Sequence, residues 1–81
     1  VLKIVFFAQL REQLATSELQ LDEVPENVGE LRELLSGRGD KWREFLMAEN
    51  CLAAVNQEIA DNSKVLQSND EVAFFPPVTG G

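Results

Sequence analysis

The stretch Ser68-Asn69-Asp70-Glu71-Val72-Ala73-Phe74-Phe75-Pro76-Pro77-Val78-Thr79-Gly80-Gly81 decides the fold of this chain. Ser68-Asn69-Asp70 is a turn signal, with Asn69 able to take a left-handed backbone. Glu71 to Phe75 then predicts a strand, with Val72 and Phe74 facing a core and Ala73 and Phe75 facing away. Pro76-Pro77 must leave the sheet, because proline cannot donate to a ladder and stiffens the exit. Beyond the prolines lies a short tail that ends in two glycines. Without a Cβ, such a tail can enter a narrow channel and approach another molecule closely. Its terminal carboxylate, inert until activated, is the candidate reactive group.

Working back along the chain, Leu2, Ile4 and Phe6 alternate with Lys3, Val5 and Phe7, which predicts a first strand with the former set inward. Ala8 to Leu14 has good helix formers with Leu10 and Leu14 four apart. Glu18 to Asp22 alternates again, and Pro25 closes that region. Asn27 and Glu30 have the spacing of a helix start, and Val28, Leu31, Leu34 and Leu35 continue on one helical face. Gly29 weakens this helix and Gly37 closes it. Asp40 is expected to cap a second helix carrying Trp42, Phe45 and Leu46. Leu52 to Val55 predicts a strand, Asn56-Gln57 a turn, and Leu66 a loop residue that plugs the core. One main helix with a few strands is an α+β layer solution. The expected architecture is a ubiquitin-like β-grasp: a mixed sheet packed against one main helix, its first and last strands parallel in the middle, with a flexible C-terminal Gly-Gly tail. Residues 1–77 form the domain and 78–81 the tail.

With 81 residues, the chain is one small domain. Hydrophobic residues make up 44%, which argues against disorder. The net charge of −7 argues against a nucleic-acid partner, since phosphate contacts need a basic surface. No apolar run reaches the length of a membrane span, and Val1 to Phe7 lacks the pattern of a signal peptide, so a cytoplasmic location and no membrane partner are expected. There is no histidine, which removes Ser-His, Cys-His and His-metal sites within the chain. No metal site and no catalytic residue is assigned. Gly37-Arg38-Gly39 is a lone G-x-G and reads as a turn. Cys51 is the single cysteine and reads as a buried structural thiol, with no cationic neighbour visible in sequence.

By strand parity, Phe7 and Phe75 are expected on the outer face, beside the point where the tail leaves. Local loops covering them is one reading; a partner interface is the other, favoured because so short a chain has little left to cover a second face.

The run from Asp70 to Gly81 closely resembles the C-terminus of the small subunit of bacterial molybdopterin synthase. Lys3 to Glu12 resembles that family's first strand and helix, and Ala53-Ala54-Val55-Asn56-Gln57 its middle strand and turn. The resemblance spans the whole chain; Phe74-Phe75-Pro76-Pro77-Val78-Thr79-Gly80-Gly81 is its most specific part, and Asn69 stands where many members have glycine. It implies a sulfur carrier in molybdenum cofactor biosynthesis. An adenylyltransferase resembling the ubiquitin E1 enzymes would consume ATP and join AMP to Gly81. A sulfurtransferase or cysteine desulfurase system would replace the AMP with sulfur, giving a C-terminal thiocarboxylate (1-thioglycine). The large catalytic subunit, in a heterotetramer of two small and two large subunits, would take Val78, Thr79, Gly80 and Gly81 into its active site. Sulfur would pass there to cyclic pyranopterin monophosphate, forming molybdopterin. Phe7, Phe75, Pro76 and Pro77 would meet the partner. The small subunit would be non-catalytic, with no permanently bound cofactor. Two rivals share the Gly-Gly end: a thiamine-pathway sulfur carrier, against which Phe74-Phe75-Pro76-Pro77 argues, and a ubiquitin-like modifier joined to target proteins through Gly81.

Overall fold

The computed structural model describes residues 1–77. The elements run β1 (Leu2–Phe6), α1 (Ala8–Leu14), β2 (Glu18–Leu21), α2 (Val28–Ser36), α3 (Asp40–Leu46), β3 (Leu52–Val55), β4 (Glu58–Ala60) and β5 (Glu71–Phe75). The five strands form one sheet in the order β2-β1-β5-β3-β4. β1 and β5 are parallel, with Lys3 opposite Glu71 and Phe6 opposite Phe74. All other neighbours are antiparallel. This is the β-grasp arrangement expected from the sequence, with the first and last strands adjacent near the centre.

The alternation in β1 and β5 sends Leu2, Ile4, Phe6, Val72 and Phe74 to one face, where each is at most 1% exposed. Val28, Leu31 and Leu35 of α2 close over that face, joined by Leu46, Leu10, Leu14, Ala53 and Val55. Leu66 reaches the same core from the loop before β5, as expected. Burying a Phe or Leu side chain of this kind is worth roughly 2 kcal/mol, so this cluster is the main favourable term. Phe6 stacks on Phe74 at 6.0 Å and meets the edge of Trp42 at 5.4 Å.

Two details of α2 differ from a plain capping box. Asn27 Oδ1 accepts from the Glu30 amide at 2.8 Å, but the Glu30 carboxylate accepts from the Glu26 amide, one residue further out. The next two amides, of Val28 and Gly29, donate to the carbonyls of Lys64 and Asn62. The 61–64 loop therefore sits directly on the helix start. A Cβ on Gly29 would come within 3.2 Å of the Asn62 Cβ, so close approach is what glycine permits there. At α3 the expectation is corrected. The N-cap is Gly39, with no side-chain cap, and Asp40 is the first helical residue. A carboxylate in the first turn still complements the helix dipole.

The turns have the expected chemistry. Asn56 and Gln57, at φ 51° and 72°, join β3 to β4 as a two-residue hairpin loop, and Asn69 sits at φ 73°. Asn56 also ties this turn to the start of β5, donating to Asp70 and accepting from the Glu71 amide.

One charged side chain lies in the interior. Arg32 of α2 is 7% exposed. Its Nη1 donates to the Leu46 carbonyl at 2.6 Å, its Nη2 to the Cys51 carbonyl at 2.9 Å, and its Nε to Asn62 Oδ1 at 2.8 Å. The guanidinium lies over the Phe74 ring at 5.1 Å. It thus joins the end of α3, the start of β3, the 61–64 loop and β5. Replacing it with an apolar side chain strands two buried carbonyls, each costing about 1–3 kcal/mol. Arg32→Met is expected to lower unfolding stability by about 3 kcal/mol in a urea titration. A variant within about 1 kcal/mol of the parent would show that these bonds add little.

Candidate functional site

The sheet has two faces and the helices cover one. The other carries Val5 of β1, Ala54 of β3, Ile59 of β4, and Ala73 and Phe75 of β5, by the same alternation that buries their neighbours. Register brings them together across the sheet: Ala73 lies between Val5 and Ala54, Ala54 is opposite Ile59, and Leu52 is opposite Phe75. Phe7 continues from β1, level with Phe75, its amide donating to the Phe74 carbonyl at 3.1 Å.

This surface is apolar and open. Ile59 is 72% exposed, Phe7 48% and Leu52 36%, while Phe75 and Pro76 are half-buried and Pro77 is exposed. Apolar side chains grouped on one face, with no helix among the described residues over them, make this a candidate interaction surface. Its opposite end is polar: Lys3 Nζ lies 3.6 Å from Glu18 and 3.5 Å from Glu71. Such exposed pairs contribute little to stability. Their effect here is to bound the apolar strip.

Phe7 is held outward by backbone geometry as well as by parity. It is extended (φ −119°, ψ 155°), and Ala8 comes next at φ 54°. A non-glycine residue in the left-handed region carries roughly 1–2 kcal/mol of strain. That turn swings α1 away while Phe7 stays on the outer side.

The structure therefore brings the predicted Phe7, Phe75, Pro76 and Pro77 to one end of the sheet, where β5 leaves it. Val78, Thr79, Gly80 and Gly81 lie outside the described residues. Leu52 and Ile59 belong to the same surface, and sequence reasoning misses them. A period of two would be the signal, but β4 has only three residues, too few to display it.

Cys51 lies beside this region and is 5% exposed, in keeping with a buried structural thiol. The expectation of no cationic neighbour is corrected, since Arg32 adjoins it from 19 positions away. Burial raises the thiol above its ordinary value of 9.0, and the smaller opposing effect of Arg32 does not reverse this. Next to Cys51 is a cleft of about 210 Å³ between α1 and α3, lined by Leu10, Phe45, Ala48 and Pro76 among others. Among the described residues, no group of His, Cys, Asp and Glu side chains is arranged to hold a metal ion. No helix there is long and apolar enough to cross a membrane.

Known proteins share both the sequence and this fold. Residues 4–81 match the ThiS family. The molybdopterin synthase sulfur carrier subunit of Escherichia coli is 41% identical over 81 residues, and that of Haemophilus influenzae is 40% identical, each alignment covering all of both chains. Among solved structures, SAMP1 from Haloferax volcanii superposes with a TM-score of 0.79 at 26% identity, covering 99% of this chain and 98% of that one. A chain in the complex of subunits 1 and 2 of molybdopterin-converting factor from Helicobacter pylori gives a TM-score of 0.71 at 23% identity, covering 99% and 97%. The last of these likenesses bears on the fold alone.

The raised Cys51 thiol couples stability to pH. Between its ordinary and folded values the folded state keeps a proton that the unfolded state loses. Stability from this group is therefore complete below the ordinary value and falls as pH rises through the folded one. The stability difference between the parent and Cys51→Ala, from urea titrations at about pH 8 and pH 10, should shrink at the higher pH. An unchanged difference would mean that burial does not hold the thiol neutral.

Proposed function

The chain belongs to the ThiS family, and from that membership we propose that it is the sulfur carrier subunit of a molybdopterin synthase. The observation that carries this reading is identity of about two residues in five with two proteins of that name, along their whole length, tail included. The open sheet face supports it independently, since a carrier must be held by another protein while its terminus is used.

The chemistry is that of an activated carboxylate. An E1-like adenylyltransferase joins AMP to Gly81, and pyrophosphate leaves. A sulfurtransferase or cysteine desulfurase supplies persulfide sulfur that displaces AMP, and reductive cleavage of the resulting acyl disulfide by a thiol leaves a thiocarboxylate. Sulfur is a stronger nucleophile than carboxylate oxygen, which is the reason to load it. In the large catalytic subunit that sulfur passes to cyclic pyranopterin monophosphate. Gly80 and Gly81 present no side chain to the channel, and Val78 and Thr79 extend the reach. Pro76 and Pro77 direct the chain away from the sheet, because neither can donate to a ladder. The apolar face of Phe7, Leu52, Ile59 and Phe75 docks on the large subunit, with the aromatic residues as its anchors. ATP is consumed by the activating enzyme, and no cofactor stays on the carrier.

A second reading has one observation in its favour. The likeness to SAMP1, a small archaeal modifier protein, fits conjugation of Gly81 to target proteins. The two readings share the adenylate and part at its acceptor.

Incubation with an E1-like adenylyltransferase, ATP and a sulfur donor should raise the intact mass by the exchange of one oxygen for sulfur at Gly81. No gain with a competent activating enzyme would remove the carrier reading, and isopeptide-linked adducts without thiocarboxylate would favour the modifier. Deleting Gly81 should abolish molybdopterin formation while leaving thermal unfolding unchanged; normal product from that truncation would defeat the mechanism. Phe75→Ala should weaken binding to the cognate large subunit by about tenfold or more in a titration calorimeter, as expected for an aromatic anchor. Unaltered affinity would move the docking face elsewhere.

A further inference from the structure

The β3–β4 hairpin has a turn at Asn56-Gln57 and an open end at Leu52 and Ala60. At the open end lies a groove of about 490 Å³ whose lining includes Arg32, Glu49, Leu52, Ile59 and Asp61. Its rim is continuous with the apolar sheet face, because Leu52 pairs with Phe75 and Ile59 with Ala54. A protein that covers that face meets the groove at its border.

The charges in the groove are unbalanced. Among the described residues the ion pairs all belong to Lys3, so neither Glu49 nor Asp61 has one. Asp61 Oδ1 accepts from both the amide and the hydroxyl of Ser63, which holds its carboxyl below the ordinary range and keeps it ionised. The one cation in the lining, Arg32, is 7% exposed and is spent on the Leu46 and Cys51 carbonyls and on Asn62. Glu49 and Asp61 are both exposed in the free chain. A partner that covered them with apolar surface would bury two unpaired carboxylates, which is strongly unfavourable. An acidic side chain would add repulsion.

We infer that this groove receives a lysine or arginine side chain of the protein that covers the sheet face. Its aliphatic stem lies along Ile59 and Leu52, as such stems do on apolar surface, and its charged head lies between Glu49 and Asp61. The net charge of −7 attracts a basic patch at long range, and the groove turns that attraction into a fixed register. The groove assignment rests on the proposed role of the sheet face as the docking surface.

The test is the affinity of the full chain for its cognate large synthase subunit, by titration calorimetry at low and at physiological salt. The double variant Glu49→Gln with Asp61→Asn removes both charges and keeps an acceptor for Ser63; its thermal unfolding confirms that it folds. It should bind about tenfold more weakly at low salt, with a shallower salt dependence, while Glu23→Gln, outside the groove lining, changes neither. Affinity within about twofold of the parent, or tighter binding, would overturn the groove assignment. Ile59→Ala and Phe75→Ala separate the two levels. If they weaken binding and the double variant does not, only the groove fails. If they too bind like the parent, the docking face falls and the groove with it.

Discussion

Parallel pairing of β1 with β5 constrains everything else in this molecule. Parallel strands cannot be joined by a tight turn, so the connection must leave one end of the sheet and return to the other. Here nearly the whole chain is that connection, and it carries the main helix across one face. With β1 and β5 adjacent, β2 can pair only with the free edge of β1, and β3 only with the free edge of β5. The same pairing sets the ends of the two strands level with each other. Phe7, at the end of β1, and Phe75, at the end of β5, therefore emerge side by side where the tail begins.

Arg32 secures that arrangement from within. A buried guanidinium is ordinarily costly, and this one has no carboxylate partner among the described residues. It is compensated by two main-chain carbonyls, one amide oxygen and the face of Phe74. Those partners come from four different segments. The residue thus converts a solvation cost into a definite placement of β3 and its neighbouring loop against β5, and through them of Leu52 beside Phe75. The outer surface is specified partly by a charge on the inner side.

Function divides along the same lines. The domain offers shape: an apolar strip closed at one end by the Lys3 pairs and bordered by acidic residues at the open end of the β3–β4 hairpin. In the proposed function the tail supplies the chemistry, through the Gly81 carboxylate. On the proposed reading, this separation would let one small domain serve several enzymes in turn, each gripping the same face and acting on the same terminus.

The sequence by itself determined the order of the elements and the inward set of each longer strand. Periods of two in Leu2 to Phe6 and Glu71 to Phe75, and a helical face at Val28, Leu31 and Leu35, come from local geometry. It also carried the family resemblance, since a Phe-Phe-Pro-Pro run before a Gly-Gly end needs no third dimension to be seen. The side chain of Asp40 suits a cap, yet the turn at Gly37 to Gly39 starts the helix one residue earlier and makes Gly39 the cap. Other features had no local signature. Arg32 beside Cys51, Leu52 and Ile59 beside Phe75, and Glu49 facing the same groove as Asp61 were decided only by the tertiary structure. Each joins residues from separate elements, and sequence periodicity reports which way a side chain points, not which distant neighbour the register brings beside it.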